Sequence, residues 1–135
     1  LHNSSFSVHT DAFLDDVKKT DLIFIPAMSG DLSEALETNK AMIPWIKKQY
    51  EKGAEVVSLC VGAFMLAKTG LLDGKKCSTH WRAAEEFKKM FPQIDLQTDK
   101  IITEQDGIYT SGGATSYWYL LLYLVEKFTD RETAI

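Results

Sequence analysis

One stretch constrains the fold more than any other: Glu55-Val56-Val57-Ser58-Leu59-Cys60-Val61-Gly62-Ala63-Phe64-Met65-Leu66-Ala67. Val56, Val57 and Leu59 make the continuous apolar run of a strand covered on both faces, a pattern typical of parallel sheets. Ala63, Phe64, Leu66 and Ala67 then carry a helical period, and Gly70 is placed to end that helix. Only Cys60-Val61-Gly62 separates the two patterns, so the turn is short and needs a small residue, supplied by Gly62. This layout puts Cys60 at the carboxyl end of a strand and the amino end of a helix, the arrangement of a nucleophile elbow. Helix-terminal amides and the positive end of the helix dipole favour a thiolate at such a point and are suited to hold an oxyanion. A small buried cysteine in a strand-to-helix turn fits the same local pattern.

The rest of the chain alternates in the same way. Asp21-Leu22-Ile23-Phe24-Ile25-Pro26 reads as a buried strand stopped by Pro26, with Ala27-Met28-Ser29-Gly30 as a loop at its carboxyl end. Before it, residues 1–10 are polar, with Phe6 and Val8 alternating as in an edge strand, and residues 11–19 read as a short helical turn or loop. Asp31 and Glu34 have capping-box spacing for a helix running to about Lys52, with Leu36, Asn39, Ile43, Ile46 and Tyr50 on one face. Pro44 lies inside that pattern and predicts a kink or break near Met42.

After a turn at Leu71-Leu72-Asp73-Gly74, Lys76-Cys77-Ser78-Thr79-His80 reads as a short strand. Ser78 or Thr79 is placed to cap the next helix, which carries Ala83, Ala84, Phe87, Met90 and Phe91 and ends at Pro92. Residues 95–97 and 100–103 read as strands, residues 104–107 as a hairpin turn signalled by Asp106-Gly107, and residues 108–111 as the return strand. Gly112-Gly113 leads into a last helix with a wide apolar face of Tyr117, Leu120, Leu121, Leu124, Val125 and Phe128. Leu122 and Tyr123 broaden that face, which implies deep burial or a partner. Alternating strands and helices predict a single α/β domain around a mostly parallel sheet.

In such a sheet, ligands bind where the strands end. Residues 26–30, 60–62, 79–81 and 111–114 should meet there. Cys60 is the candidate reactive or ligand-contacting thiol, flanked by Val61 and Gly62. His80 is placed to act as a general base or to bond a ligand, or to be satisfied by backbone at a helix start. Trp81 walls a pocket or packs in the core. Ser111-Gly112-Gly113 offers amides to an anion or carbonyl, or forms a tight turn where only glycine fits. His2 and His9 fall in the polar start and read as solvated.

Composition excludes several classes. With 15 Lys and Arg against 19 Asp and Glu, the net charge of −4 argues against this chain itself gripping nucleic acid or an anionic membrane. Cys60 and Cys77 give neither a disulfide framework nor metal-ligand spacing, and they suit a cytoplasmic protein. No phosphate loop, metal site or dinucleotide fingerprint is present, so no cofactor is expected, and no apolar run approaches the roughly 20 residues of a membrane span. The start at Leu1 rather than Met is expected of a fragment or a trimmed chain.

Residues 60–74, from Cys60-Val61-Gly62 to Leu72-Asp73-Gly74, followed by Ser78-Thr79-His80-Trp81, resemble the ThiJ/PfpI superfamily, the class I glutamine amidotransferase-like group. The nearest branch resembles the amino-terminal domain of AraC-type (GlxA-like) transcriptional regulators. Residues 106–114, 120–127 and Asp130-Arg131-Glu132 support this. The resemblance implies a flavodoxin-like three-layer sandwich with Cys60 at its elbow, occupying residues 1–135 as one domain. It also implies that a first strand-helix-strand unit is lacking, and that a helix-turn-helix domain follows residue 135 and makes all DNA contacts. The implied role is a homodimeric sensor that binds a small metabolite near Cys60, Val61, Gly62, His80, Trp81, Ser111, Gly112 and Gly113. The superfamily's PfpI-type proteases place His directly after the cysteine and its isocyanide-hydratase-like members place Thr, where this chain has Val61. Their acidic partner comes from the amino-terminal unit. The resemblance therefore implies a non-enzymatic domain. The alternative is a cysteine-dependent amidase or isocyanide-hydratase-like enzyme, with Cys60 attacking and His80 moving the proton.

Overall fold

The computed structural model describes residues 9–113 and 115–135. The expected edge strand at Phe6 and Val8, and His2, lie outside the described residues. The chain runs β1 (Leu22–Ile25), α1 (Leu32–Thr38), α2 (Met42–Glu51), β2 (Glu55–Leu59), α3 (Gly62–Lys68), β3 (Lys76–Cys77), α4 (Ala84–Met90), β4 (Asp95–Leu96), β5 (Ile102–Gln105), β6 (Ile108–Ser111), α5 (Ser116–Phe128) and α6 (Arg131–Ala134). Single 3-10 turns cover Leu14–Asp16 and Trp81–Ala83.

The main sheet has the order β1-β2-β6-β5, with β1, β2 and β6 parallel and β5 antiparallel to β6. Because side chains alternate across a strand, the β2 run splits between two faces. Val56 joins Ile23, Ile25 and Ile108 against Ile46, Phe64, Leu66 and Phe87 of α2, α3 and α4. Val57 joins Tyr109 on the other face, against Leu120 and Leu124 of α5. Both valines are wholly buried, which is why the strand reads as an unbroken apolar run. Helices on both faces give the expected mostly parallel, flavodoxin-like three-layer sandwich. No helix among the described residues is long and apolar enough to cross a membrane.

The expected long helix is two. Pro44 is the third residue of α2, and its ring has no room for the carbonyl four residues earlier, so the helix restarts at Met42. Asp31 caps α1 by accepting the Glu34 amide at 2.9 Å. The strand expected over residues 76–80 shrinks to Lys76–Cys77 and leaves the main sheet, pairing with β4 in a two-stranded sheet of its own. Neither Ser78 nor Thr79 caps the following turn. His80 does, its Nδ1 accepting the Arg82 amide at 3.3 Å. Glu104 and Gln105 belong to β5, and the hairpin turn is Asp106-Gly107 alone, both with positive φ. α5 is only half buried: Leu120 is fully covered, while Trp118, Tyr119 and Leu122 are 58%, 61% and 49% exposed.

Candidate functional site

The four stretches at the sheet's carboxyl end do meet, through backbone contacts. Cys60 has φ +57, a left-handed conformation that a side chain adopts only under local constraint. Its amide donates to the Ser111 carbonyl at 2.9 Å, tying the elbow to the end of β6. Its carbonyl accepts the Thr79 hydroxyl at 3.1 Å, tying it to the segment after β3. Gly62 rests on the end of β1, where a Cβ would lie 2.6 Å from the Ile25 carbonyl oxygen and 2.7 Å from that of Pro26. Gly112 presses on Thr79 in the same way, with an added Cβ 2.9 Å from its carbonyl oxygen. Both glycines are thus demanded by close backbone approach. A buried hydroxyl cluster holds the β3 exit in place: the Ser78 amide donates to Thr110 Oγ1 at 2.6 Å, and Thr110 in turn bonds Thr103 at 2.6 Å.

The two thiols differ sharply. Cys60 is half-buried and Cys77 fully buried. Burial pushes the Cys77 thiol up to about 12, so it stays protonated and inert as a nucleophile at neutral pH. Val61 and Gly62, at the N-cap and first position of α3, hold amides that no carbonyl within the helix can reach.

His80 accepts the Arg82 amide on Nδ1, so its neutral ring carries the proton on Nε2. That is the backbone-satisfied arrangement at a helix start. Among the described residues no hydrogen bond joins the His80 ring to the Cys60 thiol, and Thr79 makes the link between their loops. Trp81 is not a core residue. It is 70% exposed, stacks on His80 with ring centroids 5.8 Å apart, and has the Arg82 guanidinium 5.0 Å from its own ring centroid. The amides expected to greet an anion are already used: Gly112 donates to the Ile101 carbonyl at 3.2 Å and Gly113 to Ser116 Oγ at 2.6 Å. Buried without a hydrogen-bond partner are the hydroxyls of Ser111 and of Ser58 on β2.

Two cavities flank the junction. One, of about 290 Å³, lies between Trp81, Gly112, Gly113 and Tyr119. The larger, of about 530 Å³, opens on the β1 side, between the loop of residues 26–30, α1, Met42 and Met65. Neither is lined by Cys60 or His80. The sequence signalled the larger one only through the loop that ends β1; its other walls are α1 and Met42, which follow that loop directly, and Met65 of α3.

A parallel sheet ending in a cysteine elbow at positive φ, with glycine-tight contacts around it, defines a cysteine-elbow α/β domain. The chain matches the DJ-1/PfpI family over residues 2–127, and it belongs to that family. It is 30% identical over 136 aligned residues to the HTH-type transcriptional regulator CdhR of Pseudomonas aeruginosa, covering 100% of this chain and 39% of the regulator. It is 27% identical to the isonitrile hydratase of Pseudomonas putida, covering 89% of this chain and 50% of that enzyme. A crystal structure from Vibrio parahaemolyticus, assigned to a transcriptional regulator, superposes with TM-score 0.86 at 30% identity over 96% of this chain and 68% of that one. The resemblance read from residues 60–81 holds, and relatives of this chain include helix-turn-helix regulators. The chain spans about two fifths of the length of the curated regulator it matches (39%).

Proposed function

We infer that this chain is the ligand-sensing and dimerisation domain of an AraC-family transcriptional regulator, and that it binds a small metabolite beside the Cys60 elbow. The observation that carries this is the match of the whole chain to a regulator, 39% of whose length it covers. In this reading a helix-turn-helix domain after residue 135 makes the DNA contacts, in keeping with the net charge of −4 here, and the protein works in the cytoplasm. The half-exposed apolar side of α5 supports a homodimer. The metabolite acts by binding one arrangement of the two sensor domains better than another, since it shifts an equilibrium only by that difference. The test is operator binding by the full-length protein, with and without metabolites the domain retains. Operator affinity is expected to change at least severalfold, and unchanged affinity with every retained metabolite removes the sensing claim.

A second reading is supported by the left-handed Cys60 and by the hydratase relative. Here Cys60 attacks an amide or isocyanide carbon as the thiolate. His80 is a poorly placed base for it, because its Nδ1 is engaged. Turnover of an isocyanide or amide by the full-length protein, abolished by Cys60→Ser, would establish this reading, and turnover unaffected by that substitution would exclude it.

A further inference from the structure

We propose that the chain has a ligand site away from the elbow, and that it takes a small hydroxy acid. The hydroxyl is held between the Trp45 indole and the Gln49 side chain, and the carboxylate by lysines at the rim. The site is a cavity of about 280 Å³ between the single turn at Leu14–Asp16 and α2, near the amino ends of β1 and β2. It is independent of the sensor reading, which concerns the other end of the sheet.

Two buried polar atoms of residues that line this cavity have nothing to bond. The Trp45 indole nitrogen is a donor and Gln49 Oε1 an acceptor, and neither has a hydrogen-bond partner. Gln49 is only 2% exposed, so bulk solvent does not serve it. Its amide orientation is set, because Nε2 donates to the Val17 carbonyl at 3.1 Å and a flipped amide would set oxygen against oxygen. Four residues apart on α2, the indole and the amide share one face of the helix. Buried donors and acceptors are rarely left in this state. A hydroxyl answers both at once, accepting from the indole and donating to the amide. A lone water has the same chemistry, but its share of volume is only about 30 Å³, and the cavity has room for several more heavy atoms.

The rim sets the charge. Lys18, Lys48 and Lys52 line the cavity with one carboxylate, Asp15, in a chain whose net charge is −4. Among the described residues no ion pair includes any of these four. Lys18 donates to the Asp15 carbonyl at 2.6 Å and Lys52 to the Lys18 carbonyl at 2.7 Å, contacts that place the ammoniums without neutralising them. Nor are the lysines needed to cap α2. Its last carbonyls, those of Lys48, Gln49 and Tyr50, already accept the amides of Lys52, Gly53 and Ala54. Such a rim attracts a carboxylate and repels an ammonium, which selects an acid rather than an amine to carry the hydroxyl inward.

Isothermal titration calorimetry of the full-length protein with D,L-malate, D,L-glycerate, succinate and glycerol tests this. The indole N–H resonance of Trp45, identified by its loss in Trp45→Phe, places the site. The expected result is saturable binding of malate or glycerate, binding of succinate and glycerol about tenfold weaker or less, and a shift of the Trp45 resonance at saturation. Trp45→Phe keeps an aromatic ring and loses the donor, and should bind the hydroxy acid about tenfold more weakly. Lys48→Gln should bind it about threefold more weakly, a loss that shrinks in high salt. Lys48 is exposed and in no ion pair among the described residues, so that variant keeps the fold. No saturable binding of either hydroxy acid, succinate or glycerol binding as tightly, a Trp45 resonance that does not move, or unchanged affinity in Lys48→Gln or in a folded Trp45→Phe each overturn the proposal. A nuclear Overhauser contact from the Trp45 indole proton to water, with no hydroxy acid bound at any concentration, reduces the site to an ordered water only and overturns it as well.

Discussion

At the carboxyl ends of β1, β2 and β6, chain segments touch backbone to backbone. Gly62 lies on the carbonyls of Ile25 and Pro26, Gly112 on that of Thr79, and the Cys60 amide on that of Ser111. Near the amino ends of β2 and β6, long side chains do the joining. Tyr109 donates its hydroxyl to Glu55, Lys127 donates to that same Tyr109 oxygen and to Glu104, and Tyr123 also donates to Glu104. The Lys127 ammonium also sits 4.7 Å from the Tyr109 ring centroid. One end is therefore fixed by the absence of side chains and the other by charged, partly solvated ones. A steric junction tolerates almost no change, whereas an ionic one yields by degrees and responds to pH and salt.

The largest effect should come from a single methyl at the steric end. In Gly62→Ala the new Cβ meets two backbone oxygens under 3 Å away, and neither β1 nor α3 moves without disturbing buried neighbours on both sides. Overpacking against backbone costs about 3 kcal/mol. Urea unfolding measures it, and a loss below about 1 kcal/mol would show the junction to be compliant.

Alkaline pH comes next, and it acts away from the elbow. Tyr109 is held protonated to about 12 by burial and by its bond to Glu55, against an ordinary value of 10.0. Burial likewise lifts Cys77 from 9.0 to about 12. Both groups ionise earlier in the unfolded chain, so their contribution is complete below about pH 9 and is lost as pH rises toward 12. Thermal unfolding between pH 8 and pH 12 should show a steady fall in midpoint, lessened in Tyr109→Phe (about one pH-linked group fewer). Lys127→Met follows in size. It leaves Glu55 and Glu104 without their shared cation, and because all three are about one-third exposed the cost is about 1 kcal/mol, shrinking in high salt.

The difference between the two ends also explains what the sequence revealed. The strand-cysteine-helix unit was legible because the period changes from strand to helix within residues 55–67, and the Asp106-Gly107 hairpin because its turn needs positive φ at both residues. The helix break was legible in Pro44. The departure of β3 and β4 from the main sheet was not, since two-residue strands carry no period. Ser78 and Thr79 looked like helix caps, but their hydroxyls go to distant partners, Lys100 and Cys60, which leaves the cap to His80. The Gly112 and Gly113 amides looked available for the same reason, because their acceptors, Ile101 and Ser116, are set by tertiary placement and by the helix that follows. Trp81 was read as a wall or a core residue, and it lines the smaller cleft while remaining largely exposed.

The smallest effect bears most directly on function. Among the described residues, two other than glycine have positive φ, Cys60 at +57 and Asp106 at +53. Asp106 sits in a hairpin turn that demands that conformation, and aspartate tolerates it. Nothing about a cysteine favours it, and a β-carbon there costs about 1 kcal/mol. The backbone part of that cost is isolated by comparing alanine with glycine at the same position. At Val61, with φ −73 and ψ −3 in the right-handed helical region, alanine should be the more stable choice by about 0.5–1 kcal/mol. At Cys60 the order should reverse, with Cys60→Gly about 0.5 kcal/mol more stable than Cys60→Ala in denaturant titrations. A reversed order would mean that the elbow holds a thiol where a glycine would fold better. That retained strain would then be attributable to what the thiol contacts, whether metabolite or substrate, rather than to the fold. The ordinary order at both positions would mean that the elbow is unstrained, and the structural argument for a working cysteine would rest on its half-exposed position alone.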